Sequence, residues 1–240
     1  MEKLEQLYEG KAKRIYRTTE EDVVWVSYKD SATAFNGEKK AEIEGKGRLN
    51  NEISSILFEL LKDKGIESHF VKRVSETEQL VKKVTIIPLE VVVRNIAAGS
   101  LSKRTGIPEG QILPKTILEF YFKNDDLGDP LINEDHIDIM NIATREQLEK
   151  ISEQAFQINE VLTSYFAQKN VKLVDFKLEF GIDKDGQLLL ADEISPDTCR
   201  LWDAETNEKL DKDVFRRELG SLTDAYETIL KRLGGLSCTK

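Results

Sequence analysis

The chain has 240 residues, with 35 Lys and Arg against 44 Asp and Glu, a formal net charge of −9. That length suits one or two domains with a sizeable core, and an apolar share of 40% beside 14 Gly excludes wholesale disorder, collagen and a disulfide scaffold. A pI near 5.0 argues against broad nucleic-acid binding, which needs excess cations, yet a small phosphorylated ligand needs only a local basic patch.

In chain order, residues 4–8 and 14–18 read as strands flanking Glu9-Gly10-Lys11-Ala12-Lys13, with Gly10 supplying the turn. Residues 23–28 form a β-branched and aromatic third strand. Ile53, Ile56, Leu57, Leu60 and Leu61 recur at helical spacing, with Gly65 as the stop. Strands return at 70–75 and 79–84, and Pro88 punctuates the next apolar run, where a domain hinge is expected. Residues 116–122 are a further strand. Thr144 and Gln147 make a capping-box pattern ahead of a long helix striped by Leu148, Ile151, Ala155, Ile158, Leu162 and Phe166. Residues 171–182 and 187–194 predict a hairpin about Asp183-Lys184-Asp185-Gly186. One last helix is expected to carry Phe215, Leu219, Leu222, Tyr226, Ile229 and Leu233 and to end at Gly234-Gly235. Strand runs mixed with segregated helices predict an α+β fold, not regular βαβ alternation.

Two cysteines, Cys199 and Cys238, are too few for a disulfide framework and suggest a reduced, cytoplasmic setting. Two histidines, His69 and His136, cannot build a His-rich metal site with them, so a catalytic metal would sit on carboxylates, which favours Mg²⁺ or Mn²⁺. The N-terminus has no apolar h-region, so no secretory signal is expected, and no run is apolar enough to span a bilayer.

The most informative segment is 173–181. Asp175, Lys177 and Glu179 alternate with Val174, Phe176, Leu178 and Phe180, so in a strand they share a face, about 6–7 Å between successive neighbours. Two carboxylates flanking an ammonium fit a metal-and-phosphate site, although alternation alone also describes a solvated strand face. The expected partner strand runs directly into Asp192-Glu193, where two acids could meet a divalent cation. Asp183-x-Asp185-Gly186 lacks the bidentate Glu of a calcium loop and reads as a turn. Residues 194–203 form a polar loop in which Arg200 could grip a phosphate or carboxylate, and Cys199 reads as a packed thiol. Gly10-Lys11-Ala12-Lys13 offers amides and point charges but is neither a Walker A loop nor a kinase glycine loop. Arg94 leaves an apolar strand ahead of a small-residue turn at Gly99-Ser100, a set able to bind phosphate. The polar loops 30–37 and 124–130 are uninformative alone.

Taken together, residues 87–100 and 173–181, with further blocks at 8–13, 30–36, 123–129 and 192–203 in order, resemble the SAICAR synthetase (phosphoribosylaminoimidazole-succinocarboxamide synthase) family in its short, monofunctional bacterial form. The resemblance covers nearly the whole chain. Ala191 stands where Gly is frequent, and Thr198-Cys199 occupy variable positions before Arg200; neither removes a charge. The resemblance implies an ADP-forming ligase of purine biosynthesis. It joins the carboxylate of carboxyaminoimidazole ribonucleotide (CAIR) to the amine of L-aspartate, through an acyl phosphate. It implies a two-lobed α+β fold: a β-rich ATP-binding lobe at 1–85, similar to a kinase N-lobe, and a larger domain at 86–240 with the CAIR, metal and aspartate sites. It implies Gly10, Lys11, Ala12, Lys13, Lys177 and Glu179 for ATP, and Arg94, Ser100, Asp197 and Arg200 for CAIR. Glu179, Asp192 and Asp129 would hold Mg²⁺, and Asp175, Lys177 and Arg200 would be catalytic. Asp175 would orient or deprotonate the amine, though an ion pair with Lys177 accounts for it equally well. It also implies a homodimer acting on small molecules, with no nucleic acid or membrane partner. A metabolite kinase or an ATP-binding sensor would present a similar two-lobed site, and aspartate dependence separates these classes.

Overall fold

The computed structural model describes residues 1–34 and 37–235. Phe35 and Asn36 of the polar loop noted above, and Cys238, lie outside the described residues. The first sheet holds β1 (Lys3–Glu9), β2 (Lys13–Thr18), β3 (Val23–Tyr28), β7 (Glu78–Lys82) and β6 (Phe70–Arg73), in the order β1-β2-β3-β7-β6. Its strands pair antiparallel, so Val24, Val26 and Val81 bury one face together with Tyr28. Between β3 and β6 the chain forms a hairpin of β4 (Ser31–Ala34) and β5 (Lys39–Glu42), then helix α1 (Lys46–Asp63). Gly65, at φ 81°, follows that helix as expected.

The second sheet runs β11 (Leu131–Ile132), β10 (Ile112–Phe122), β9 (Leu89–Ile96), β12 (Val171–Ile182), β13 (Leu188–Ala191), with β14 (Cys199–Asp203) and β8 (Thr85–Ile86) also on β12. The long helix α4 (Arg145–Ala167) starts at the Thr144–Gln147 capping box and packs on β12. Its Ile151, Ala155, Ile158 and Leu162 meet Val91, Val93, Leu178 and Phe180 in the main core. Helix α1 joins the same core through Leu49, Ile53, Leu57 and Phe58. The α+β expectation holds. No helix among the described residues is long and apolar enough to cross a membrane.

Several local expectations need correction. The last helix is two: α5 (Asp213–Arg216) and α6 (Leu222–Leu233). Glu218 at φ 56° and Gly220 at φ 152° leave helical space, and Ser221 caps the new start. The turn at Gly99-Ser100 opens helix α2 (Gly99–Thr105), and a further short helix, α3 (Glu134–Ile139), follows β11. Part of the 194–203 loop is strand β14, whose Arg200 and Trp202 gain a β12 partner that local sequence does not reveal. Asp183 is a turn as expected, its carboxylate accepting from the Asp185 and Gln187 amides.

Candidate active site

Three adjacent strands, β10, β9 and β12, turn polar side chains to one face by simple alternation: Glu119 and Tyr121, then Glu90 and Arg94, then Asp175, Lys177 and Glu179. Val91, Leu178 and their neighbours on the opposite face lie in the core. The polar face forms one wall of a cleft of about 870 Å³ shared with the first sheet. Every residue singled out for ATP, CAIR, metal or catalysis lines this cleft. The strand bearing Asp175 and Glu179 is thus no solvated face: both are almost wholly buried.

At one end, register sets the chemistry. Asp175 lies opposite Arg94 on β9 and opposite Arg200 on β14. Arg94 Nη1 donates to Asp175 Oδ2 at 2.7 Å, and Arg200 Nη1 lies 3.0 Å from both Asp175 oxygens. Arg94 also donates to Glu119 at 2.8 Å and, through Nη2, to the Ser100 hydroxyl at 2.9 Å. Arg200 Nε donates to Asp213 at 3.0 Å. The ion pair with Lys177, the alternative account of Asp175, does not form; the two guanidiniums take that carboxylate. Burial would lower both arginines, but Asp175, with Glu119 for one and Asp213 for the other, outweighs it and raises them. Gly99, at φ 54°, passes so close to Arg200 that a Cβ would collide with its guanidinium.

At the other end the cations are lysines. Lys177 donates to Glu90 and Glu179, each at 2.8 Å, and Lys123 donates to the other Glu179 oxygen. Glu179 pairs with Ala191, which brings Asp192 and Glu193 to the same wall. From β2, Lys13 reaches across to Asp192 at 2.6 Å and Glu193 at 3.1 Å. Burial works against the Lys13 charge, but Asp192 and Glu193 hold its pKa well above the usual lysine value. Burial likewise opposes the Asp192 charge, and Lys13, Lys177 and Lys123 hold it far below the usual carboxylate range. Gly10, Lys11, Ala12 and Lys13 form the β1–β2 turn, closed by Gly10 N donating to the Lys13 carbonyl and Lys29 N donating to that of Ala12, each at 2.8 Å. Lys11 points elsewhere than Lys13 and pairs with Asp125 at 2.7 Å in solvent. Asp129, at φ 49°, accepts from the Asn124 amide at 2.8 Å in the β10–β11 turn.

Among the described residues no group of three or more His, Cys, Asp or Glu side chains forms a metal cage. The ionised Asp192 and the oxygens of Glu179 fit a hard divalent cation that keeps water and phosphate in its remaining positions. Asp197, in the loop before β14, is bound to Lys46 at 2.7 Å and Lys212 at 3.3 Å. Burial and neighbouring charge push the Cys199 thiol up, so it is a packed thiol and no nucleophile.

The family model for SAICAR synthetase matches residues 6–233. The chain belongs to the SAICAR synthetase family. The phosphoribosylaminoimidazole-succinocarboxamide synthase of Bacillus cereus (strain B4264) is 68% identical over 237 residues, 99% of each chain. The crystal structure of the synthase from Ehrlichia chaffeensis is 50% identical at a TM-score of 0.95, covering 97% of this chain and 100% of that one. A SAICAR synthetase in complex with ADP is 50% identical at a TM-score of 0.94, covering 98% and 100%.

For a SAICAR synthetase chain, the residues that sequence reasoning missed are informative. Glu90, Tyr121 and Lys123 line the cleft, and Glu119 accepts from Arg94 behind its wall. Glu119, Tyr121 and Lys123 alternate in the sequence as clearly as Asp175, Lys177 and Glu179 do, and that period was the available signal. Arg216 and Lys212, also on the wall, carry no local signature.

Proposed function

We propose that this chain is an ATP-dependent ligase that joins the carboxylate of CAIR to the amine of L-aspartate, giving SAICAR, ADP and phosphate. One observation carries this reading: a single cleft unites a lysine-and-carboxylate end with an arginine-and-hydroxyl end. The near-full-length identity to curated synthases supports it. A carboxylate resists amine attack. Phosphorylating it creates an acyl phosphate with a good leaving group, and the discrete acyl phosphate is part of the proposal.

In this mechanism Lys11, Lys13 and Lys123 receive the ATP phosphates, each releasing a carboxylate to do so. Glu179 and Asp192, with Asp129 nearby in the wall, would hold Mg²⁺, which supplies charge neutralisation to the phosphates. Lys177 sits between Glu90 and Glu179, poised at the transferring group. Arg94, Ser100 and Arg200 hold the CAIR phosphate, with Asp197 beside them. Asp175 serves by fixing both guanidiniums, which occupy both its oxygens; that occupancy favours orientation over deprotonation. Residues 1–85 form the ATP lobe and 86–240 the substrate domain, with α1 docked into the latter. A homodimer in the cytoplasm completes the reading.

The deciding assay follows ADP and SAICAR by mass with Mg-ATP and CAIR, with and without L-aspartate. Aspartate-dependent SAICAR, one-for-one with ADP, is expected. ADP without aspartate dependence would instead mark a kinase, and binding without turnover a sensor.

A further inference from the structure

Arg216 and Lys212 stand on the cleft wall without a role in the scheme above. Arg216 is committed: its Nη1 donates at 2.5 Å to Asp213, the carboxylate that also holds Arg200. Lys212, at the start of α5, has a single ion-pair partner among the described residues, Asp197 Oδ2 at 3.3 Å. That oxygen is shared. The Lys46 ammonium lies 2.7 Å from it, and Lys46 is wholly buried. The other Asp197 oxygen accepts from the Tyr226 hydroxyl at 2.5 Å. Three elements therefore converge on the carboxylate of the loop before β14: the first residue of α1, the start of α5 and the middle of α6.

The charge does not balance there. Two ammoniums face one carboxylate. The Tyr226 phenol adds none, since burial and the adjacent Asp197 keep its proton on. An enclosed cation without a counter-charge is costly. Lys46 is shut in and claims Asp197, so the surplus falls to Lys212, the ammonium that borders the cleft. Burial lowers the Lys212 pKa, Asp197 opposes that, and the Lys46 charge lowers it further. A surplus ammonium in a substrate cleft needs an anion from the substrate. On the ligase reading, ATP has its lysines and the CAIR phosphate has Arg94, Ser100 and Arg200. The remaining substrate brings two carboxylates.

We propose that Lys212 anchors a carboxylate of the amino-dicarboxylate substrate, and that the buried Lys46–Asp197–Tyr226 set positions its ammonium. Lys212 touches substrate; Tyr226 acts through Asp197 and is a positioning residue. This inference rests on the ligase reading.

The test is steady-state kinetics with each substrate varied in turn. The variants are Lys212→Met, Lys212→Arg and Tyr226→Phe, with Tyr165→Phe as control. The Tyr165 hydroxyl donates to the Leu233 carbonyl at 3.3 Å, so its loss weakens α6 docking without touching Asp197. Lys212→Met is expected to raise the aspartate KM at least about tenfold while the ATP and CAIR values stay within about twofold. Lys212→Arg should recover part of that loss. Tyr226→Phe should raise the aspartate KM severalfold with kcat changed less, and Tyr165→Phe should leave all three KM values in place. A rise confined to CAIR, or equal for all substrates, overturns the proposal and leaves the ligase reading standing. Wild-type protein that releases ADP without aspartate overturns the ligase reading itself. Should Lys212→Met unfold by circular dichroism, Tyr226→Phe decides: an unchanged aspartate KM sinks the idea.

Discussion

At the arginine end of the cleft, Arg94 commits its guanidinium to Asp175 and Glu119 on the two neighbouring strands of its sheet and to Ser100 in the first turn of α2. At the lysine end, Lys13 and Lys11 leave the first sheet to meet Asp192 and Asp125 in the other part of the chain. A planar fork held at several points cannot swing, so it suits a ligand recognised in one pose. An ammonium on a flexible stem is a point charge that can exchange a carboxylate for a phosphate. On the proposed assignment, one cleft is rigid where it would recognise a nucleotide substrate and adjustable where a polyphosphate and a cation would assemble.

Asp175→Asn attacks the rigid end at its centre. It leaves two buried guanidiniums short of one charge, a loss of about 3 kcal/mol, or a Tm lower by about 10 °C for a chain of this size. The kcat/KM for CAIR should fall about 1000-fold. If instead Tm drops while kcat/KM holds within about tenfold, the carboxylate is structural alone.

Glu179→Gln strikes the adjustable end. It removes a charge that two lysines share, and kcat should fall about 100-fold with a higher Mg²⁺ requirement. Unchanged Mg²⁺ dependence would refute the metal assignment.

Acid should find the lysine end through His69. Burial and the Lys13 charge push its pKa down to about 4, against about 6.5 unfolded. The unfolded chain therefore binds the extra proton, so stability is full above pH 6.5 and is lost as pH falls towards 4. The loss is about 3 kcal/mol, and urea titrations across that window should read it. His69→Gln should flatten the slope there; an equal slope in the variant places the acid sensitivity elsewhere.

Gly99→Ala returns to the arginine end from the backbone side. A Cβ at φ 54° is strained and displaces Arg200. The CAIR KM should rise about tenfold with the ATP KM unchanged. Equal rises would mean that the helix α2 start, not Arg200, had moved.

Period-two alternation made Asp175, Lys177 and Glu179 legible as one face, and the capping box made α4 legible to the residue. What alternation cannot supply is register. Arg94 and Arg200 lie 81 and 25 residues from Asp175, and only the pairing of β12 with β9 and β14 sets them opposite it. The alternative account of Asp175, a pair with Lys177, does not form for that reason: the two cross-strand guanidiniums occupy both Asp175 oxygens, and Lys177 pairs with Glu179 and Glu90 instead. The single C-terminal helix failed because its apolar stripe continues in step through Leu219, while the break depends on backbone angles at Glu218 and Gly220. The polar groups of Lys46, Asp197, Lys212 and Tyr226 come from four separate segments, so their convergence had no sequence pattern at all.

The smallest effect tests the adjustable end against itself. Lys11 and Lys13 sit two residues apart in one turn, yet the Lys11–Asp125 side chains are 52% and 69% exposed and those of Lys13 and Asp192 only 12% and 26%. Solvent screens the first pair, and Lys11→Met should change stability by less than about 0.5 kcal/mol. The phosphate role proposed for Lys11 is that of an exposed charge at the rim, so the ATP KM should rise only about threefold. Lys13→Met should cost more on both counts, because it strands Asp192 and Glu193 in a buried wall that Lys177 and Lys123 only partly neutralise. Thermal melts and ATP titrations of the two variants side by side make the comparison. If Lys11→Met proves as damaging as Lys13→Met, exposure is a poor guide to this turn, and the loop carrying Asp125 must close over the nucleotide to bury Lys11 during turnover.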